Sequence, residues 1–392
     1  MSKNDYFIIF GGGGVRGLAY CGAYRALLEN NINMTGCAGS SIGAVFASLL
    51  VLGYDYNEIF ELLSNTGFEL FIDINFDITK EVAFSKGNIF YDWIKDKIEK
   101  KFYGDKYEKN KMPSVTFSDI KTKLIIFSVD LTNMKFKEFS SDKTPDFEIA
   151  QAVRASVSMP GLFSPLEVDN SLIVDGDLLK SAPLWRLTNT IKNLPERIIE
   201  FRLEDNETLG KISNPVEYIN RVYNAICGFA TDYIIDLYNQ KDKFDYIKIN
   251  TPDISVVDFL IPKDKKQELY DLGYNTAKQY FENVRPEKAK ILKEKYNRLL
   301  SYLIKFQKEF NCSNIVASYL KLCEIFVFLC EEKQYLDSNL CDMILNFKND
   351  YIKNYKSRNF LFLKSASIDN KENLSKELLE IIKLTTLKTQ EL

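Results

Sequence analysis

Short apolar runs that end in glycine alternate along the first 280 residues with stretches whose apolar positions recur every three to four residues. Residues 6–10 (YFIIF) form such a run and predict a buried strand. Residues 18–29 (LAYCGAYRALLE) carry helical spacing, and Asn30 and Asn31 mark the end of that helix. A second short strand is predicted over 34–38, and a buried helix rich in Ala, Leu and Val over 42–52, stopping at Gly53. Strand, glycine turn, helix, strand, serine turn, helix is the opening of a parallel sheet with helical cover. Further strands are expected over 124–129, 171–174, 197–203 and 245–249, and a helix over 147–155 followed by the loop SVSMPGLFSP, 156–165. A closing helix runs to Phe281, with Asp264 placed to cap its start. From about 286 the chain turns to long Lys-, Leu-, Tyr-, Ile- and Glu-containing stretches almost free of proline, which predict several helices packed together. The expected architecture is therefore α/β, a mostly parallel central sheet with helices on both faces over 5–285, followed by a helical C-terminal extension over 286–392.

Composition narrows the function. A net charge of −3 argues against a dedicated nucleic-acid binder, which shows a basic excess or stripe. Residues 287–392 carry 18 Lys and Arg against 14 Asp and Glu, a dispersed excess suited to a solvated helical surface, with contact to an anionic membrane as the alternative. The seven cysteines form no C-x-x-C, and the chain has no histidine, so mixed Cys/His zinc sites are excluded; free thiols in a reducing compartment are expected. No apolar run is long enough to span a bilayer, and the run before Gly11 is too short for a signal peptide. These features predict a cytoplasmic or peripherally membrane-associated protein, with signal-independent export as the other route.

Two glycine-containing turns carry the candidate chemistry. Residues 11–17 (GGGGVRG) lack the G-K-[ST] ending of a phosphate-binding P-loop. Gly12, Gly14 and Gly17 do match G-x-G-x-x-G, but a dinucleotide site needs an acidic residue at the end of the second strand, and CAGSSIG stands there instead. The remaining reading is an oxyanion hole, with backbone N–H groups of the glycines turned inward beside a helix N-terminus and Arg16 adding charge or locking the loop. Residues 39–43 (GSSIG) form the only G-x-S-x-G turn, with Ser41 as candidate nucleophile between Gly39 and Gly43.

Without histidine a Ser-His-Asp triad is impossible, so a lysine or a carboxylate must take the serine proton directly. One carboxylate stands in a special setting: in SLIVDGDLL, Asp175 closes an apolar strand and precedes Gly176. An aspartate in water titrates near pH 4 and is a weak base unless desolvated.

These blocks resemble the patatin-like phospholipases. The family's G-G-G-x-[RK]-G loop is matched by Gly12, Gly13, Gly14, Val15, Arg16 and Gly17, its nucleophile turn by 39–43, and its Asp-Gly-[Gly/Ala] motif by Asp175 and Gly176. The segment AVRASVSMPGLFSP, 152–165, is similar to the one that precedes the family's aspartate. The resemblance covers roughly 5–285 and implies Ser41 as nucleophile, Asp175 as general base in a Ser-Asp dyad, and a metal- and cofactor-independent acyl hydrolase acting on membrane phospholipid or another acyl lipid, of the phospholipase A or lysophospholipase type. Asp177 departs from the pattern, standing where the family has Gly or Ala; it either raises the pKa of Asp175 or points to solvent, and Asp177→Gly is expected to keep most activity. Residues 67–76 (GFELFIDINF) and 159–163 (MPGLF) are candidates for an apolar rim that touches membrane. Rival readings of the same fold are a regulated effector or toxin whose C-terminal helices sense a ligand or protein, and a non-catalytic lipid-binding scaffold.

Overall fold

The computed structural model describes residues 4–66, 73, 83–179, 197–204, 244–251, 254, 261–357 and 366–392. The opening units follow the apolar pattern: β1 (Asp5–Phe10), a 3-10 turn (Gly14–Leu18), α1 (Ala19–Glu29), β2 (Asn33–Ser40) and α2 (Ile42–Val51). Next come α3 (Tyr56–Asn65), β3 (Ala83–Ser85), α4 (Asn88–Tyr103), β4 (Lys123–Asp130), β5 (Lys135–Ser140) and α5 (Ile149–Ser156). Three short strands, β6 (Gly161–Phe163), β7 (Leu166–Val168) and β8 (Ser171–Asp175), precede β9 (Arg197–Glu204), β10 (Phe244–Asn250) and α6 (Lys263–Gln279). The predicted strands and helices are all present. Helices α3 and α4 and strands β3, β5, β6 and β7 went unpredicted, the strands because most are only three residues long and half-buried.

The main sheet runs β10-β9-β1-β2-β4-β8-β7, with β5 on the other edge of β4. Strands β10, β9, β1, β2 and β4 are parallel, β5 and β8 run antiparallel to β4, and β7 pairs antiparallel with β8. Both faces are buried, as the continuous apolar run of β1 requires: Tyr6, Ile8 and Phe10 lie in the cluster with α1 and α2, and the alternate Phe7 and Ile9 are equally inaccessible. On the first face α1 and α6 touch backbone to backbone. A Cβ at Gly22 would lie 1.9 Å from the Tyr270 carbonyl oxygen, and one at Gly273 1.9 Å from that of Ala19. The approach outweighs the roughly 1 kcal/mol that each glycine costs a helix.

Asp264 does not cap α6: Pro262 occupies the N-cap, and Asp264 lies in the first turn, where its charge suits the helix dipole. The chain leaves α6 through a π-type turn (Tyr280–Val284). Among the described residues, those up to Glu282 form one compact unit and those from Asn283 a second.

The second unit holds α7 (Arg285–Asn311), α8 (Ile315–Glu332), α9 (Ser338–Asn354) and α10 (Lys371–Glu391). Its own core includes Tyr296, Leu303, Phe306, Leu329, Phe347 and Leu378. Two unpredicted strands, β11 (Tyr355–Ser357) and β12 (Ala366–Ile368), pair antiparallel after α9. The six described cysteines are free thiols. Among the described residues no helix is long and apolar enough to cross a membrane.

Candidate active site

One strand edge brings the two candidate catalytic residues together. Strand β2 pairs with β4 up to Ser40 opposite Phe127, and there β2 ends. Since β5 occupies the other edge of β4, β8 takes over the vacated edge one position further on, with Asp175 opposite Ser128. Ser41 and Asp175, far apart in sequence, thus meet at the carboxyl ends of the parallel strands, where open α/β sheets bind their ligands.

Ser41 sits on a tight elbow at φ 52, ψ −126, an unusual conformation for a residue other than glycine. Gly39 and Gly43 make that elbow possible. A Cβ at Gly39 would lie 2.2 Å from the Gly43 carbonyl oxygen, and one at Gly43 2.1 Å from that of Phe10. Behind the elbow, α2 is buried over Ile42–Leu50 and directs its N-terminus, with its partial positive charge, at the site. The Ser41 N–H donates to Ser156 Oγ at 3.0 Å, and that hydroxyl donates to the Phe127 carbonyl at 2.6 Å.

Ser41 Oγ donates to Asp175 Oδ2 at 2.8 Å. Ser41 is 7 % exposed and Asp175 4 %, so the bond is shielded from water. Burial, with the like charge of Asp177, pushes the Asp175 carboxyl up to about 7, against the opposing hydrogen bonds from the Asp177 N–H and Ser41. The Asp175 backbone N–H is held by the Ser158 carbonyl at 3.0 Å. Ser158 is in turn gripped by Arg154 of α5, which also binds the carbonyls of Gly87 and Ser164.

The glycine loop lies against the same corner. Gly13 and Gly14 have φ of 147 and 56, open to glycine alone or nearly so, and among the described residues their N–H groups have no acceptor. Gly12 is different: its N–H donates to Asp177 Oδ1 at 3.1 Å. In this structure the Gly12 N–H, expected as an oxyanion donor, is thus engaged by a carboxylate. Arg16 is buried and locks the loop, reaching the Gly13 carbonyl and Thr251 Oγ1. Gly17 lets the 3-10 turn pack on α2, where a Cβ would meet Ile42 Cγ1 at 2.4 Å. Gly176 passes the Phe127 carbonyl so closely that a Cβ would lie 2.0 Å from its oxygen.

Of the two candidate rims, 67–76 falls outside the described residues except Asp73. Within 159–163, Pro160 and Gly161 are exposed and Met159, Leu162 and Phe163 half-buried. Sequence reasoning missed Ser156, Ser158 and Arg202. For Arg202 a signal was present: Glu200 and Arg202 stand two apart in the otherwise apolar interior of β9, which places opposite charges on one buried face.

Residues 8–187 match the sequence profile of the patatin-like phospholipases. This segment, which carries the glycine loop, Ser41 and Asp175, is similar to that family. An uncharacterized protein, R571 of Acanthamoeba polyphaga mimivirus, is 28% identical over 281 residues, covering 68% of this chain and 91% of the relative. The probable lipid hydrolase 463L of Invertebrate iridescent virus 6 is 26% identical over 189 residues, 46% of this chain and 63% of that protein. The crystal structure of VipD from Legionella pneumophila aligns with a TM-score of 0.49 at 15% identity, covering 99% of this chain and 87% of that one.

Proposed function

We propose that this chain is a lipid acyl hydrolase of the phospholipase A or lysophospholipase type. The observation that carries the reading is the buried 2.8 Å hydrogen bond from Ser41 Oγ to a carboxylate whose pKa lies near 7. A base so tuned accepts a proton at neutral pH without a histidine. Ser41 Oγ attacks the ester carbonyl carbon as its proton passes to Asp175 Oδ2. The oxyanion is received by the Gly13 and Gly14 N–H groups, with the positive end of α2 beside it. Asp175 then protonates the departing alcohol. In the second half, water attacks the acyl-serine and yields its proton to Asp175; the proton returns to Ser41 Oγ as the fatty acid leaves.

The test is hydrolysis of a short-chain chromogenic ester and labelling by a fluorophosphonate, in wild type and Ser41→Ala, each with and without cell extract. Wild type is expected to turn over and to label at Ser41 alone, and Ser41→Ala to do neither. Labelling that persists in Ser41→Ala sinks the assignment. Turnover that appears only with extract identifies the regulated effector.

For the lipid surface, the sheet edge that carries the site offers an apolar tip. The β4–β5 turn exposes Leu131 and Met134, the latter 91 % accessible, and the neighbouring β8 exposes Leu172, whose carbonyl binds the Leu131 N–H at 2.9 Å. The tip stands three strand residues beyond Ser128, about 10 Å past the level of the dyad. Leu131→Asp with Met134→Asp is expected to lower hydrolysis of phospholipid vesicles about 10-fold or more and to leave the soluble-ester rate within about twofold. Equal loss on both substrates argues against membrane contact at this tip.

A further inference from the structure

Asp177 is the residue that departs from the family motif, and among the described residues its carboxylate accepts from the glycine loop, from β2 and from β9. Oδ1 accepts from the Gly12 N–H of the glycine loop at 3.1 Å, from Ser40 Oγ at the end of β2 at 3.3 Å, and from Arg202 Nη1 of β9 at 2.6 Å. Its own N–H donates to Asp175 Oδ1 at 2.7 Å. Arg202 is buried, and its Nε is fixed by the buried Glu200 at 2.9 Å. The glycine at position 12 is moulded to this contact: a Cβ there would sit 2.5 Å from Asp177 Cγ. From these contacts we propose that Asp177, clamped by Arg202, is a positioning residue that ties the glycine loop, the nucleophile strand and the base into one register. The proposal rests on the acyl-hydrolase reading above and adds to it a part that the family motif does not contain.

The physical case is one of geometry and charge. Gly13 and Gly14 stabilise an oxyanion only if their N–H groups stand within a few tenths of an ångström of it, and an unanchored glycine loop samples many backbone states. The Gly12–Asp177 bond removes that freedom one residue before the donors. A charge-assisted bond from a fixed guanidinium holds the carboxylate itself, so the anchor does not drift. The same charge acts on the base. Asp177 raises the pKa of Asp175 and Ser41 lowers it, while Arg202 of β9 pairs with both Asp177 and Glu200. Arg16 and Tyr20, from the 3-10 turn and α1, belong to the same charge environment, since both Arg202 and Asp177 act on Tyr20. On this proposal Asp177→Gly is expected to lose activity, where the sequence alone leads to the expectation that it keeps most of it, because the acid anchors the loop through Gly12.

Three variants test the proposal: Asp177→Ala, Asp177→Asn and Arg202→Gln, with kcat, KM, the acid limb of the pH–rate profile, the rate of Ser41 labelling by fluorophosphonate, and thermal unfolding measured for each. Asp177→Ala is expected to lower kcat about 10- to 100-fold with KM within about threefold of wild type. Asp177→Asn keeps an acceptor oxygen for Gly12 but loses the charge. It is expected to recover most of that kcat and to shift the acid limb to lower pH, because the like charge beside Asp175 is gone. Arg202→Gln is expected to lower kcat as its anchor on Asp177 weakens. Wild-type kcat and an unshifted limb in both Asp177 variants overturn the proposal. So does a fall in unfolding temperature with unchanged labelling and turnover, which marks a purely structural residue. If Asp177→Ala does not fold, the Asn variant decides by its limb alone. If no ester is turned over by wild type, the acyl-hydrolase reading fails separately, and equal labelling rates in wild type and Asp177→Ala then overturn the positioning role.

Discussion

Asp175→Asn is expected to lose on the order of 10²-fold or more in turnover while leaving the fold more stable at pH 8. The amide keeps the shape of the carboxyl and still accepts the Ser41 hydroxyl bond, but it takes no proton at neutral pH. In wild type the carboxyl is raised from its ordinary value of 3.8 to about 7, so turnover should fall as pH drops below 7. That limb has no histidine to explain it, because the chain has none. The stability effect has the opposite sense to that of a salt-bridged carboxylate. Between about 4 and 7 the folded chain binds a proton that the unfolded chain has released, so the stability associated with this group is present at low pH and is lost as pH rises towards 7. An uncharged Asn removes that cost, worth about 1–3 kcal/mol at pH 8 after allowing for its imperfect hydrogen bonds. Urea unfolding at pH 8 beside initial rates on a soluble ester measures both. A folded Asp175→Asn with near-normal rate overturns the dyad, and one less stable than wild type removes the account of the raised pKa. Because the pair acts as a unit, Ser41→Ala with Asp175→Asn should be hardly slower than Ser41→Ala alone.

Gly43→Ala is expected to destabilise the first unit by about 3 kcal/mol or more and to abolish labelling of Ser41. The added methyl meets the backbone oxygens of Phe10 and Gly11 at 2.1 and 2.5 Å, and neither is a side chain that can swing aside. To admit it, α2 must move off the end of β1, which takes Ser41 from Asp175 and from the glycine loop together. Thermal unfolding and probe labelling of the soluble variant check this. A Gly43→Ala protein with the wild-type unfolding temperature and labelling rate shows that the elbow tolerates the displacement.

Much of the site was legible because its residues stand at changes of pattern. Ser41 and Asp175 each follow a predicted strand, and a polar residue at a strand end beside glycine is conspicuous against an apolar run. Periodicity also revealed the opening β-α-β-α units and the helical C-terminal part. What it did not reveal depends on the third dimension. Asp177 was visible as an anomaly, but whether its carboxylate faced solvent or the loop depended on Arg202, twenty-five residues on and in a different strand. Ser156 and Ser158 sit in a block already noticed, yet their hydroxyl and carbonyl contacts follow from the way α5 lies along β4 and β8, which no local spacing encodes. The short strands β6 and β7 were missed because a three-residue strand has no period to read.

The shared edge of β4 also orders events in time. A growing chain that has made β1, β2 and α2 already contains the elbow and its serine, but not the proton acceptor. Asp175 enters only when β8 docks antiparallel on the stretch of β4 that β2 leaves uncovered. Up to that step the hydroxyl lacks the carboxylate that accepts its hydrogen bond at 2.8 Å in the finished sheet. Reactivity towards a serine probe during refolding is therefore expected to appear when β8 closes the sheet and not when the chain first collapses. If Ser41 and Asp175 act as the proposed pair, hydrolysis is expected only from chains in which β8 has joined the sheet.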